Sequence, residues 1–405
     1  MAKICMLLLL FLLISIIGTS VSRTVSRPVG RKVLLISFDG FRWDYYKNYK
    51  TPNLDYLAKT GVHAPTGILA AFATKTFPNH YSIITGLHQE SHGIVDNTMY
   101  DPVFNKSFRM HNTKDSAWWG GEPIWVTARK QGMRVGVYFW PSSDIKIQNI
   151  RPNYFFKYNI KTPFEKRIDT AVNWLANDQV EIALVYFNQP DNIGHKTGAM
   201  SEGVRKTVES LDKLVGYLLE KLLEKFLLDR VNLIITSDHG MANITKKEHL
   251  IALEKYVHLK REVKWIPAGG PVVGILPQEG KLDIVYNKLK HAHPNMSVYK
   301  KEEIPERWHY KNHRRIMPIL AVADEGYLIA RKYRENSTLG QHGYDNNLTS
   351  MRPIFFARGP DFKENYKTRS FDITNIYPLI CYLLGINSAP NNGSLTEVSH
   401  MLRTV

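Results

Sequence analysis

Cysteine is scarce in this chain, with two in 405 residues. Cys5 lies in an amino-terminal apolar run that we predict to be removed, so Cys381 would stand alone and a disulfide framework is excluded. Because Cys381 sits in the apolar stretch IYPLICYLLGI, we expect a buried thiol that packs as a small hydrophobic side chain. A chain of this length with 44% hydrophobic residues can be stabilised by its core alone.

Long apolar runs are equally few. One run, Ile4 to Ile17, follows Lys3 and precedes small residues at 18–22, which is typical of a signal peptide cleaved near Ser20 to Ser22. A membrane anchor is the alternative, but the run falls short of the ~20 apolar residues that a spanning helix needs. We therefore predict a signal peptide at residues 1–22 and a soluble, secreted, extracellular mature chain.

The sequence also lacks a long basic arm, although its formal net charge is +16. Lysine and arginine are spread along the chain, which indicates a solvated surface that attracts small anions and gives no reason to expect a nucleic-acid partner. We expect a monomer. Asn-x-Ser/Thr sequons, typical of a glycosylated secreted protein, begin at Asn105, Asn243, Asn295, Asn336, Asn347 and Asn392.

Short apolar runs of the kind found in buried parallel strands recur along the chain, with helical stretches between them. They are Val33 to Phe38, Val135 to Phe139, Ile182 to Phe187, Val231 to Thr236 and Pro353 to Ala357. This alternation predicts the α/β class, with a central, mainly parallel sheet flanked by helices.

Two helices and a lobe complete the prediction. The helices are Val204 to Leu228, with Leu223 on its apolar face, and Ile376 to Leu384, which ends at Gly385. From about 269 to 331 the pattern changes to strands at Val272 to Leu276 and Ile319 to Val322 around a helix at Asp283 to Ala292, which predicts a smaller inserted α+β lobe. We predict one catalytic domain at 30–393 and a short tail at 394–405.

Acidic and histidine side chains follow the apolar strands. Asp39 follows the first, Asp191 and His195 follow the strand at 182–187, and Asp238 with His239 follows the strand at 231–236. Because the carboxyl ends of parallel strands meet in one crevice, we expect these residues to converge, joined by His342 from a glycine-rich loop. Three carboxylates and three imidazoles without sulfur are enough for two catalytic zinc ions. His63, His80, His88 and His92 are predicted to be hydrogen-bonded scaffold.

Thr76, in the stretch ATKTFPNHYSIITG, is the candidate nucleophile. A threonine hydroxyl is a weak nucleophile, so the protein must supply a base or a metal ion that lowers its pKa. Two metal ions close together can do this and can also stabilise the oxygens of a phosphoryl group.

Several stretches taken together resemble the ectonucleotide pyrophosphatase/phosphodiesterase family of the alkaline phosphatase superfamily. They are LLISFDGFRWDY, TKTFPNHYSIITGLHQESHGIVDNTMYDP, PDNIGHKTG, LIITSDHGM and GQHGYDN, and they span Val33 to about Asn392. Two further stretches, HPNMSVYKKEEIPERWHY and PILAVADEGY, are similar to the short, single-catalytic-domain fourth and fifth vertebrate members. The resemblance implies an alkaline phosphatase-like fold. Those members carry a transmembrane tail that this chain lacks, which favours a secreted product.

The resemblance also assigns roles to residues. It implies that one zinc ion is held by Asp39, Thr76, Asp238 and His239 and the other by Asp191, His195 and His342. It adds Asn97, whose amide would form an oxyanion cradle with the Thr76 backbone N–H, and Phe77 and Tyr158 as the faces between which a nucleobase stacks, with core packing as the alternative for both rings. Lys75 would add positive charge near the phosphate, or would be an exposed, solubilising lysine.

The sequence therefore predicts a secreted zinc phosphodiesterase/pyrophosphatase that hydrolyses dinucleoside polyphosphates, dinucleotides such as NAD or nucleoside triphosphates to a nucleoside 5'-monophosphate through a phosphothreonine. A choline-phosphodiester hydrolase is the alternative within the family. An inactive secreted nucleotide-binding protein is the alternative of another class. A sulfatase is disfavoured, because Thr76-Phe77-Pro78-Asn79 stands where that branch has Cys/Ser-x-Pro-x-Arg.

Overall fold

The protein is described from a computed structural model that covers residues 32–110, 114–244, 249–333 and 338–403. The predicted signal peptide at residues 1–22, with Cys5, and the sequon at Asn336 lie outside the described residues. Within the described ranges, no helix combines the length and the apolar character needed to cross a membrane.

The α-helices of the described chain are α1 Tyr45–Asn48, α2 Pro52–Thr60, α3 Thr76–Thr85, α4 Gln89–His92, α5 Ile124–Lys130, α6 Phe164–Asn177, α7 Asp191–Thr197, α8 Glu202–Glu224, α9 Leu259–Glu262, α10 Leu282–Leu289 and α11 Ile376–Leu384.

The strands are β1 Lys32–Phe38, β2 Val62–His63, β3 Thr98–Asp101, β4 Lys106–Arg109, β5 Val135–Tyr138, β6 Tyr154–Phe156, β7 Ile182–Phe187, β8 Val231–Thr236, β9 Ala242–Asn243, β10 Leu250–Ala252, β11 Val263–Trp265, β12 Gly269–Gly270, β13 Val272–Pro277, β14 Met296–Lys300, β15 Ile319–Ala323, β16 Leu328–Ala330, β17 Gly340–Gln341, β18 Phe355–Arg358 and β19 Tyr366–Lys367.

The central sheet has eight strands in the order β19-β2-β18-β8-β1-β7-β5-β6. Strand β1 lies between β7 and β8 and pairs with both in parallel. Strands β1, β7 and β8 are fully buried apart from Lys32, as expected for a sheet with helices on both faces. The predicted α/β class is confirmed.

One of the predicted strands runs against the others. The stretch predicted at 353–357 forms β18 at Phe355–Arg358, which pairs antiparallel with β8 and with β2. The apolar run itself cannot reveal this, because a buried strand has the same composition in either direction.

Helix α8 begins after Ser201, whose hydroxyl accepts a hydrogen bond from the Val204 amide. It ends at Glu224, before the predicted Leu228, and Leu223 is 62% exposed rather than buried. Side chains of successive helical residues point about 100° apart. Because Leu222 faces the core, Leu223 points away from the apolar stripe. Helix α11 spans Ile376–Leu384 as predicted, and Cys381 is buried in it.

The inserted lobe contains an antiparallel sheet in the order β11-β13-β15-β14 and a small sheet β10-β16-β12. Its separate core includes Ile251, Leu253 and Val257, which precede the predicted start at 269. Its helix, α10, ends at Leu289, before the predicted Ala292. The predicted tail packs on the main domain, since Val398, Met401 and Leu402 belong to the principal core.

Candidate metal centre and active site

Three buried carboxylates meet at the carboxyl edge of the central sheet. Asp39 directly follows β1, Asp238 follows β8, and Asp191 is the first residue of α7 after β7. Backbone hydrogen bonds fix this edge, with the Asp191 amide donating to the Asp39 carbonyl at 2.9 Å. The Gly40 amide donates to Asp238 Oδ1 at 3.1 Å. The strand-end prediction is therefore confirmed for all three acids.

Gly40 closes the turn that brings Asp39 and Asp191 together. Its φ is +68°, and a Cβ at this position would lie 2.9 Å from Asp191 Cβ. Both the left-handed backbone and the contact with Asp191 require glycine.

We expect Gly40→Ala to lower both stability and activity. A left-handed non-glycine residue costs about 1–2 kcal/mol, and the added methyl group would displace Asp191. Gly280→Ala is the matched control, because Gly280 also has a φ of +68° but nothing lies within 4 Å of its added Cβ. The temperature of thermal unfolding should fall in both variants. Phosphodiesterase activity should fall in Gly40→Ala alone. Equal activity in the two variants would contradict the role assigned to this turn.

The three site histidines share one hydrogen-bonding pattern. Each Nδ1 lies 2.8 Å from a backbone carbonyl, which can only accept, so each Nδ1 carries the proton. The pairs are His195 with Gly340, His239 with Gly240 and His342 with Thr74. Metal-binding imidazoles are oriented in this way, with Nε2 left to bind the ion.

The Nε2 atoms face carboxylate oxygens at short distances. The contacts are Asp39 Oδ1 to His239 at 3.5 Å, Asp238 Oδ2 to His239 at 2.9 Å, Asp191 Oδ1 to His195 at 3.3 Å and Asp191 Oδ1 to His342 at 3.5 Å. These three oxygens are buried and accept no hydrogen bond in the part of the chain that the structure describes. Lone pairs of nitrogen and oxygen that face each other so closely need a cation between them, so the donor set fits metal ions.

Two groups of ligand atoms are close enough to hold an ion. One contains Asp39, Asp238 and His239, and the other contains Asp191, His239 and His342, with the ligand atoms of each group within 4.8 Å of one another. His239 thus belongs to both, and its ring stacks on that of His342 with centroids 3.5 Å apart. The resemblance assigned His239 to the first ion alone. His195 is outside these groups but contacts Asp191.

The electrostatics of the site favour a cation. Burial, together with the neighbouring Asp238 and Asp191 carboxylates, raises the pKa of Asp39 well above its usual range. Burial alone would lower the pKa of His239, but the Asp238 carboxylate raises it. A divalent cation bound here would compensate the negative charge of these buried carboxylates.

Thr76 is the first residue of α3 and is 8% exposed. Its Oγ1 lies 3.3 Å from His239 Nε2, so the hydroxyl stands beside the group formed by Asp39, Asp238 and His239. The positive end of the α3 dipole and the backbone N–H of Thr76 also lie at this place. A phosphate oxygen beside Thr76 would be stabilised there.

Asn97 and Lys75 flank Thr76. Asn97 Oδ1 accepts a hydrogen bond from the Phe77 amide at 2.9 Å, which fixes the side chain and leaves Nδ2 to donate elsewhere. Lys75 is 6% exposed, forms an ion pair with Asp96 and donates to the Val272 carbonyl at 3.2 Å. The alternative of an exposed, solubilising lysine is therefore wrong. We call the cleft lined by Lys75, Asp96, Asn97, Thr98, His195 and His342 the inner cleft.

The two aromatic candidates lie at different places. Phe77 is half-buried and its ring centroid lies 6.2 Å from that of Phe108. Tyr158 is 52% exposed, and its ring centroid lies 6.1 Å from that of Tyr186. Tyr186 in turn donates a hydrogen bond to Asp39 Oδ2 at 2.5 Å. Tyr158 thus stands at the rim of the site with an exposed ring, while Phe77 is partly held by core packing.

Two supporting residues were missed as parts of the site. Tyr186 orients Asp39 through a hydrogen bond. In the sheet Tyr186 lies opposite Ser37, which with Lys32 makes up the polar residues of β1. A tyrosine at the end of an apolar strand was the available signal. His80 was predicted as scaffold, and it does bond Ser37 and the Thr76 carbonyl, but its Nδ1 also lies 3.3 Å from Asp238 Oδ2. Its position one helical turn after Thr76 was the signal.

The other scaffold histidines differ. His92 pairs with the Ser82 hydroxyl at 3.0 Å, as predicted. His63 Nδ1 has no hydrogen-bond partner among the described residues, and the ring stacks on Phe356 instead, with centroids 6.0 Å apart. His88 stacks on His309 with centroids 4.2 Å apart.

Comparison with known proteins gives concordant matches. The model of the family described as type I phosphodiesterase / nucleotide pyrophosphatase matches residues 33–345. The chain is 44% identical over 401 residues to ectonucleotide pyrophosphatase/phosphodiesterase family member 5 of Homo sapiens, which covers 97% of this chain and 83% of that protein. It is 42% identical over 402 residues to bis(5'-adenosyl)-triphosphatase ENPP4 of Homo sapiens, covering 98% of this chain and 87% of the relative.

A solved structure is similar over nearly the same length. It is murine ectonucleotide pyrophosphatase/phosphodiesterase 5, an inactive threonine-to-alanine variant in complex with AMP. The TM-score is 0.89 at 43% identity, and the match covers 92% of this chain and 100% of that chain. The alkaline phosphatase-like α/β fold predicted from the sequence is confirmed by this similarity.

Proposed function

Since the chain belongs to the type I phosphodiesterase/nucleotide pyrophosphatase family and is an enzyme of that class, we propose that it is a secreted, zinc-dependent hydrolase of nucleotides. Its substrates would be dinucleoside polyphosphates, dinucleotides such as NAD, and nucleoside triphosphates. Its product would be a nucleoside 5'-monophosphate.

The observation that carries this proposal is the position of Thr76. A buried threonine hydroxyl stands at a helix amino terminus, 3.3 Å from His239, beside carboxylate oxygens that accept no hydrogen bond among the described residues. A protein that only bound nucleotides would not need a nucleophile in this position.

The residues support a two-step transfer. Thr76 Oγ1 attacks phosphorus, the bond from phosphorus to the leaving oxygen breaks, and the hydroxyl proton passes to solvent. Water then attacks the phosphorus of the nucleotidyl phosphothreonine, the bond to Oγ1 breaks, and the nucleoside monophosphate leaves as Thr76 regains its proton. When bound by the Asp and His ligands, two zinc ions would lower the pKa of the attacking hydroxyl and stabilise charge on the phosphoryl oxygens.

Asn97 and Lys75 contribute to binding the phosphate. Because the Phe77 amide holds Asn97 Oδ1, the Nδ2 amide is oriented to donate to a phosphate oxygen, and the Thr76 backbone N–H would complete the cradle. Lys75 forms an ion pair with Asp96, which holds both side chains in the wall of the inner cleft. Because of this pairing, Lys75 adds less net charge than a free lysine would.

Phe77 and Tyr158 would hold the nucleobase. Tyr158 offers an exposed ring beside Tyr186, and Phe77 follows the nucleophile directly. Base stacking on aromatic rings stabilises binding by about 1–3 kcal/mol per base. The murine relative in complex with AMP supports a nucleotide ligand for this chain.

The charge near Tyr158 favours a nucleotide over a choline ester, because choline phosphate would be the transferred group of such an ester. A quaternary ammonium is bound by aromatic rings and repelled by a neighbouring cation. The buried Arg167 guanidinium lies 5.0 Å from the centre of the Phe139 ring, whose centroid is 5.3 Å from that of Tyr158.

We expect at least about tenfold higher kcat/KM for diadenosine triphosphate than for glycerophosphocholine, because the Arg167 guanidinium near Tyr158 disfavours a quaternary ammonium there. The measurement is AMP release against choline phosphate release by the full mature chain. Equal or reversed preference would favour the choline-phosphodiester alternative. Tight AMP binding without release from any nucleotide would favour the inactive binding protein.

A further inference from the structure

A second cavity continues outward from the inner cleft. We call it the outer cavity; its volume is about 600 Å³, and its lining includes Thr98, Ser107, Arg109, Trp265, Arg331 and Lys332. The two share Thr98, Pro267 and Ala268 in their walls. A molecule with its reacting phosphorus at Thr76 could therefore extend through the inner cleft into the outer cavity.

The outer cavity is lined by three cations that have no partner among the described residues. Arg109 lies on β4, and Arg331 and Lys332 follow β16, so the main domain and the lobe both contribute. All three side chains are exposed, and none makes an ion pair or hydrogen bond within the described chain. No aspartate or glutamate lines the outer cavity among the described residues. Three unpaired cations around one cavity favour a polyanion such as a chain of phosphates.

Trp265 adds an aromatic wall. The indole is half-buried, its Nε1 donates to Ser107 Oγ at 3.0 Å, and its ring stacks on Tyr100 with centroids 5.7 Å apart. These contacts hold the ring in place before any ligand binds. A fixed indole beside unpaired cations is suited to an aromatic base that carries phosphates.

We propose that the outer cavity binds the leaving half of a dinucleoside polyphosphate, with Arg109, Arg331 and Lys332 on its phosphates and Trp265 on its base. This assignment rests on the proposed function. The transferred nucleotide lies on the other side of Thr76, toward Tyr158, which contacts Tyr186 beside Asp39. The leaving half extends along the inner cleft past His195 and His342. The enzyme therefore selects substrates by both halves.

Three substrates separate these contributions. Diadenosine triphosphate has a leaving group with phosphates and a base, ATP has one with phosphates alone, and the p-nitrophenyl ester of thymidine 5'-monophosphate has neither. Arg109→Gln/Arg331→Gln should lower the kcat/KM ratio of diadenosine triphosphate to the ester about tenfold. Trp265→Leu should lower the ratio of diadenosine triphosphate to ATP about fivefold. Thermal unfolding checks that each variant is folded.

Lys213→Gln/Arg230→Gln is the matched control, because it also removes two exposed cations that line neither cavity. An unchanged ratio in the double arginine variant, or an equal fall in the control, would overturn the assignment of the cations. An unchanged diadenosine triphosphate to ATP ratio in Trp265→Leu would overturn the stacking. A wild type that fails to hydrolyse the ester would instead overturn the proposed function, and the assignment with it.

Discussion

Thr76→Ala is expected to abolish turnover of every substrate, with a loss of about a thousandfold or more in kcat, because it removes the hydroxyl beside His239 Nε2 that attacks phosphorus in the proposed mechanism. The fold should survive, since Oγ1 makes no hydrogen bond other than the contact to His239 within the described chain. Steady-state kinetics with a nucleotide ester measures the loss, and thermal unfolding measures the fold.

Thr76→Ser is the matched control. It keeps the hydroxyl and loses only a methyl group, so it should retain measurable turnover. Acid quench of the wild type during turnover, followed by peptide mass spectrometry, should find the nucleotide covalently attached to Thr76. The same procedure applied to Thr76→Ala should find no attached nucleotide. Turnover by Thr76→Ala would remove the nucleophile assignment while leaving the metal assignment intact.

The acids of the site could be predicted because of a local rule. Asp39, Asp191 and Asp238 each follow a fully buried apolar strand, and parallel strands bring such residues to one edge. The rule needs only the direction of the strands, which holds for β7, β1 and β8. It does not need their order, although their adjacency is what brings the three carboxylates into contact.

The remainder depends on contacts between distant parts of the chain. His239 stacks on His342, which lies in a loop about a hundred residues later, and His239 belongs to both ligand groups. No periodicity in the sequence predicts such a contact. The antiparallel direction of β18 and the early start of the lobe core at Ile251 are likewise set by tertiary pairing. Lys75 can be buried because it forms an ion pair with Asp96, and the sequence does not reveal that these two residues pair.

Removal of the metal ions is expected to abolish activity and to lower stability. Each Asp and His ligand is fixed by the fold, so an emptied centre leaves the buried carboxylates facing one another without compensation. Loss of several kcal/mol of transition-state stabilisation corresponds to a fall in kcat/KM of about a thousandfold or more. Treatment with 1,10-phenanthroline, followed by dialysis, tests activity and thermal unfolding together.

Zinc should restore both properties, whereas Mg²⁺ and Ca²⁺ should not, because imidazole ligands suit zinc and those ions prefer oxygen. Elemental analysis should find about two zinc ions per chain. Asp191→Asn should reduce this content toward one, because Asp191 belongs to only one of the two groups, while the exposed Asp55→Asn should not change it. Activity that persists after complete metal removal would contradict the metal centre, and full zinc content in Asp191→Asn would contradict the division of ligands.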